Sequence, residues 1–158
     1  MRYQDLMIET TKNAADEAFR YAATVPEDKV EWKPLESGRS VLDQARELAK
    51  CPSWAHLLVS GQDFPAQTEE SAAASKAEME AMKTIAECRE TCLKNLEELF
   101  ELYRTLPDER LTDTKWLPFD GGRDFTVKEM MAYPQWNFIW HAGQIAYVQT
   151  LYGDKAMH

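Results

Sequence analysis

Basic residues are scarce in this chain of 158 residues: 18 lysines and arginines face 27 acidic residues, a formal charge of -9. Nucleic acid and anionic membrane surfaces select clustered positive charge, so neither is expected as a partner. No run of 18 apolar residues occurs, so no membrane span is expected. The stretch MRYQDLMIETTKN lacks the basic-then-apolar layout of a signal peptide, and a cytoplasmic location is expected. Cysteine is limited to three residues, an odd number, and all three are expected as reduced thiols. Cys88 and Cys92 lie one helical turn apart, but no second cysteine or histidine pair stands near them, so packing is their expected role. A phosphate loop, a nucleophile elbow and a dinucleotide fingerprint are all missing, as are internal repeats and flexible linkers.

What remains is an ordinary globular composition, with 44% apolar and 28% charged residues, and enough chain for one domain spanning 1–158. Helical periodicity dominates. A first helix is expected from about Tyr3 to Val25, where Pro26 ends it. Residues 27–39, with Trp32, Pro34 and Gly38, read as an ordered connection. Ser40 with Asp43 three residues on opens a second helix through about Ser60, with a kink expected near Lys50 or Cys51 from Pro52 inside it, and a stop over Gly61 to Pro65. The spacing predicts a long third helix from about Glu69 to Leu106, closed by Pro107. A loop with Trp116 and Gly121-Gly122 has room for a short hairpin. Thr126 with Glu129 then caps a last helix that Pro134 is expected to kink or restart, continuing to Leu151 and terminated by Gly153. The expected fold is all-α, most simply a four-helix bundle, and the long loops leave its topology open.

The last helix carries the most chemistry. Trp136, Phe138, Ile139, Trp140, Ile145, Tyr147 and Val148 cover nearly its whole circumference, so burial on more than one side is expected. Gly143 costs roughly 1 kcal/mol relative to alanine in a helix interior, and close approach of another helix would justify it. Asn137 and His141 are one turn apart on one face, the spacing at which a helix offers two ligands to a metal. A core histidine bonded to Asn137 or to a carboxylate is the alternative. On the second helix, Glu47 could reach the bundle axis or stand solvated like the other glutamates. The carboxylates of the third helix lack the Glu-x-x-His pattern of di-iron bundles, and His56 and His158 are not candidate ligands.

Three stretches carry a family resemblance: Val30-Glu31-Trp32-Lys33-Pro34 with Ser40-Val41, then Glu47-Leu48-Ala49, then His141-Ala142-Gly143-Gln144-Ile145 ending near Leu151-Tyr152-Gly153. With these the chain resembles the DinB/YfiT-like superfamily along essentially its whole length. The resemblance implies a four-helix bundle with long crossover loops running up-up-down-down, and a homodimer. It also implies a nickel or zinc site of three histidines, one on the second helix and two on the last. His141 takes the place of the final histidine, Asn137 that of its partner, and Glu47 that of the second-helix ligand. Two of the three ligands are thus replaced.

A Glu47, Asn137, His141 set offers one imidazole nitrogen, one carboxylate and one neutral amide oxygen. That leans toward manganese or ferrous iron rather than nickel or zinc. The same side chains can instead satisfy each other without an ion. Two functions follow. One is a divalent-metal-dependent enzyme with the thiol-dependent transferase or hydrolase-like chemistry the resemblance suggests. The other is a metal-free bundle that binds a small apolar or thiol ligand or acts as a dimeric interaction module, with a pocket lined by Trp54, Trp136 and Trp140.

Overall fold

The computed structural model describes every residue except Pro65 and Gln67. Among the described residues five α-helices are formed: α1 (Tyr3–Ala23), α2 (Val41–Val59), α3 (Glu69–Ala81), α4 (Ile85–Thr105) and α5 (Val127–Leu151). Short 3-10 turns at Glu27–Lys29 and Asp108–Thr112 shape two of the connections. Between α4 and α5 lies an antiparallel hairpin of β1 (Thr114–Leu117) and β2 (Arg123–Thr126), in the register Thr114 to Thr126. Its turn uses Asp120, Gly121 and Gly122, all at positive φ; a Cβ on Gly122 would meet the Trp116 ring at 2.9 Å. Among the described residues no helix is long and apolar enough to cross a membrane.

The four-helix bundle expected from sequence is present in α1, α2, α4 and α5. Both α1 and α2 pack between α4 and α5, which puts α1 and α2 on one diagonal. Helix directions follow from the end contacts. Tyr3 Oη donates to the Lys128 carbonyl at one end of α1, and the Gln149 amide donates to Thr24 Oγ1 just past the other, so α1 and α5 are parallel. Gln4, near the start of α1, donates to the carbonyl of Leu106, which caps α4, so these two run oppositely. Mid-α5 His141 meets Gln44 and Glu47 of early α2, while Asn137, one turn earlier on α5, faces Cys51, one turn later on α2, making α2 antiparallel to α5. The order is therefore up-down-down-up, not the up-up-down-down implied by the resemblance. The physical reason is α3, which carries the chain back along the outside of α2 so that α4 can descend parallel to it.

That return corrects the long third helix. The expected helix is two helices, broken at Met82, where the backbone turns extended. The side chain of Met82 is buried, and its carbonyl accepts from the Arg46 guanidinium at 2.9 Å. Thr84 then caps α4 in a reciprocal box with Glu87, whose carboxylate also takes the Lys83 N–H. Replacing Thr84 by alanine should cost about 1 kcal/mol in urea unfolding, since the first turn of α4 loses its cap.

The caps at Ser40 and Thr126 form as read, and both helices pass their internal prolines without a break. Gly61 stops α2 at positive φ; the Pro65 part of that expected stop lies outside the described residues. Tyr103, Phe138, Leu48, Leu99 and Met131 fill the core, with Tyr103 Oη donating to the Met131 carbonyl at 3.0 Å. Cys51, Cys88 and Cys92 are buried free thiols.

Helix α5 corrects the expected burial of its aromatic residues. It is buried against α1 and α2, but its outer face is not covered: Trp136 is 55% exposed, Trp140 54%, and Ile139 and Tyr147 share that face. Trp136 and Trp140 stack on each other with centroids 5.4 Å apart. Gly143 points the same way, and a Cβ built on it meets nothing within 4 Å. Among the described residues no helix makes the close approach that would justify it.

Candidate functional site

The site forms where α2 and α5 cross in opposite senses, so that four residues forward on one helix match four residues back on the other. His141 meets Gln44 and Glu47; one turn earlier on α5, Asn137 meets Cys51, one turn later on α2. Both α5 side chains are nearly sealed, at 2% exposure for His141 and 3% for Asn137.

His141 is held from both sides. Its Nε2 lies 3.1 Å from a Glu47 carboxylate oxygen, and its Nδ1 lies 3.0 Å from the Gln44 amide oxygen. A ring protonated on both nitrogens satisfies both acceptors. A neutral ring donates from Nε2 to Glu47 and needs Gln44 to present its NH2 instead. The other Glu47 oxygen pairs with the Arg39 guanidinium at 2.6 Å, and Arg39 is itself steadied by donating to the Asp43 carbonyl. The result is one continuous chain, Arg39–Glu47–His141–Gln44, that ties the entrance of α2 to the middle of α5.

The electrostatics follow from these contacts. The His141 hydrogen bond holds the Glu47 carboxyl well below the ordinary glutamate range, at about 2, with the Arg39 charge assisting against desolvation. Burial pushes the Cys51 thiol up to about 12, despite the Asn137 amide beside it, so this sulfur is no nucleophile at neutral pH. In the unfolded chain Glu47 titrates near roughly 4.3. Its contribution to stability is therefore complete above that range and is lost as pH falls toward 2. Urea midpoints measured from pH 6 down to pH 2 should fall on this limb, and Glu47→Gln should flatten it. An acid limb unchanged in that variant would show that Glu47 is not held in this way.

Two of the three expected site residues, Glu47 and His141, are in direct contact; Asn137 is one turn removed and faces Cys51. Sequence reading missed Arg39 and Gln44. Gln44 could have been found from its spacing, three residues before Glu47 on the same face of α2. Arg39 sits in the connection ahead of the cap, where spacing says nothing about contacts. The expected tryptophan pocket does not form. Trp54 lines a cleft between α2 and α3, whereas Trp136 and Trp140 stand on the outer face of α5.

These residues do not fit a divalent cation. The only imidazole has both nitrogens engaged, and a guanidinium already occupies the outer oxygen of Glu47. The buried amide nitrogen of Asn137 makes no hydrogen bond of ordinary geometry, and its side chain faces Cys51 rather than His141 and Glu47. Among the described residues no group of three histidine, cysteine, aspartate or glutamate side chains gathers around a common point.

No known family model matches the sequence, and no curated protein matches it either. Solved structures do. YfiT from Bacillus subtilis, described as a probable metal-dependent hydrolase with an unusual four-helix bundle topology, superimposes with a TM-score of 0.75 at 14% identity, over 95% of this chain and 87% of that one. A DinB-like protein from Bacillus subtilis gives a TM-score of 0.67 at 15% identity, covering 97% and 96%. A mycothiol-dependent maleylpyruvate isomerase gives 0.60 at 13% identity, with this chain spanning 90% of itself but 60% of that protein. In keeping with the sequence stretches that carry the resemblance, Trp32 of the first packs edge-on against Tyr152 of the last, with centroids 6.0 Å apart. The chain thus has the DinB/YfiT-like fold, an all-α four-helix bundle.

Proposed function

We propose that this chain is a metal-independent DinB-like bundle that works by binding, as a homodimer joined through the outer face of α5. The observation that carries the first half is the closed chain Arg39–Glu47–His141–Gln44, in which Glu47 and His141, at two of the positions the resemblance matches to ligands, are already paired. Such a chain fixes the relative height of α2 and α5 and leaves nothing free for proton transfer to a substrate. The second half rests on Trp136, Ile139, Trp140, Gly143 and Tyr147, which together make an apolar face that no other element covers among the described residues.

A second reading keeps the metal-dependent enzyme, with Glu47, Asn137 and His141 as ligands. It is favoured by the fold neighbours, one described as a probable metal-dependent hydrolase and one as a mycothiol-dependent isomerase. That reading requires Arg39 to leave Glu47 and Asn137 to turn from Cys51. Elemental analysis separates the two. Tag-free protein incubated with nickel, zinc, manganese or ferrous iron and desalted should retain well under one ion per chain. About one ion per chain, lost in His141→Ala, would favour the enzyme and sink the metal-free reading.

A further inference from the structure

A cleft of about 770 Å³ separates α3 from α2, on a face of α2 adjoining the one that meets His141. Its volume is that of a small-molecule site. The reason it stays open lies in α3. The residues of α3 on the cleft side include Ser71, Ala72 and Ser75, too short to fill it, while Glu78 pairs with Lys50 and Met79 packs against the core at the other end; no residue of α3 is fully buried. Opposite them α2 presents Trp54 and Leu57, with Phe64 beyond the end of that helix.

The two ends of the cleft differ in chemistry. One end holds Lys50, whose side chain is only 17% exposed and whose ammonium lies 2.9 Å from the Glu78 carboxylate. Leu57, seven residues further along α2 and so about 10 Å away, marks the apolar end with Phe64. Glu78 is 64% exposed on the outer rim, so a carboxylate entering the cleft can take the lysine while Glu78 turns to water. A cation at one end and an aromatic-aliphatic trough at the other match a long, amphipathic anion. We infer that the α2–α3 cleft binds an aliphatic carboxylate of fatty-acid type, its head group on Lys50 and its tail along Trp54 and Leu57. This goes beyond the dimer and is independent of whether His141 ever holds an ion, because neither involves these residues.

Calorimetric titration of the full chain with decanoate, kept below its micelle-forming concentration, tests the site, with decanol as the uncharged probe. Saturable binding of one decanoate per chain is expected. Lys50→Met should weaken decanoate about tenfold while leaving decanol unchanged, since only the head-group contact is removed. Ala72→Phe should abolish binding of both by filling the trough. The bundle should survive that change, verified by its circular dichroism, because α3 contributes no buried residue. Absence of saturable binding, binding that persists in Ala72→Phe, or equal loss of decanoate and decanol in Lys50→Met would each overturn the assignment.

Discussion

Replacing His141 with alanine is expected to lower the unfolding free energy by about 2–4 kcal/mol while the helical circular dichroism of the folded state is retained. The change leaves a cavity in a sealed position and strips Gln44 and Glu47 of their shared hydrogen-bond partner. Glu47 keeps Arg39 and some access to water, which keeps the loss below that of a fully buried orphan charge. For a chain of this length each kcal/mol moves the melting temperature by roughly 2–4 °C, so a fall on the order of 10 °C should be seen. Saturating zinc should not raise the melting temperature of either the unmodified protein or the variant. A metal-dependent enzyme would instead show a zinc-dependent rise in the unmodified protein that vanishes in His141→Ala.

Gly143→Leu is expected to convert a dimer into a monomer, and the opposite behaviours of two substitutions at this position make the test sharp. A glycine inside an exposed helix with open space above it costs roughly 1 kcal/mol against alanine, so a lone monomer gains from Gly143→Ala and tolerates leucine. If a second copy lays its own α5 across this point, the glycine lets the two backbones approach, and a leucine holds them apart. The half-exposed rings of Trp136, Trp140 and Tyr147, with Ile139, offer on the order of 500 Å² per copy, close to what a modest specific interface needs. Light scattering after size exclusion should give twice the chain mass for the unmodified protein and the single-chain mass for Gly143→Leu and for Trp140→Lys. A monomeric unmodified protein, or a dimer indifferent to both changes, would remove this face from consideration.

The fold was legible in the sequence wherever a local signal set an element. Ser40 with Asp43 and Thr126 with Glu129 announce their helices because the capping residue and its partner are three apart, and both boxes form. The same signal at Thr84 and Glu87 was masked by the apolar repeat running from Met79 through Leu93, which a continuous helix would also satisfy. Direction and neighbour order were not legible, because they depend on α3 returning the chain along α2, a tertiary choice with no local signature. At the site, His141 stood out by helical spacing, whereas Glu47 was brought in by the resemblance, since spacing alone favoured a solvated carboxylate. Their closure by Arg39 was not legible, since a connecting segment carries no periodicity. The outer face of α5 was misread for a physical reason: tryptophan and tyrosine suit a core and an interface equally well.

The most direct test of a closed, metal-free His141 is the nitrogen-15 NMR signature of its ring with and without one equivalent of zinc. The prediction is two ring nitrogens whose shifts do not move when zinc is added, because Glu47 and Gln44 keep both engaged. One nitrogen moving to the position of a zinc-bound imidazole would contradict it, and would return Glu47 and His141 to the role of metal ligands.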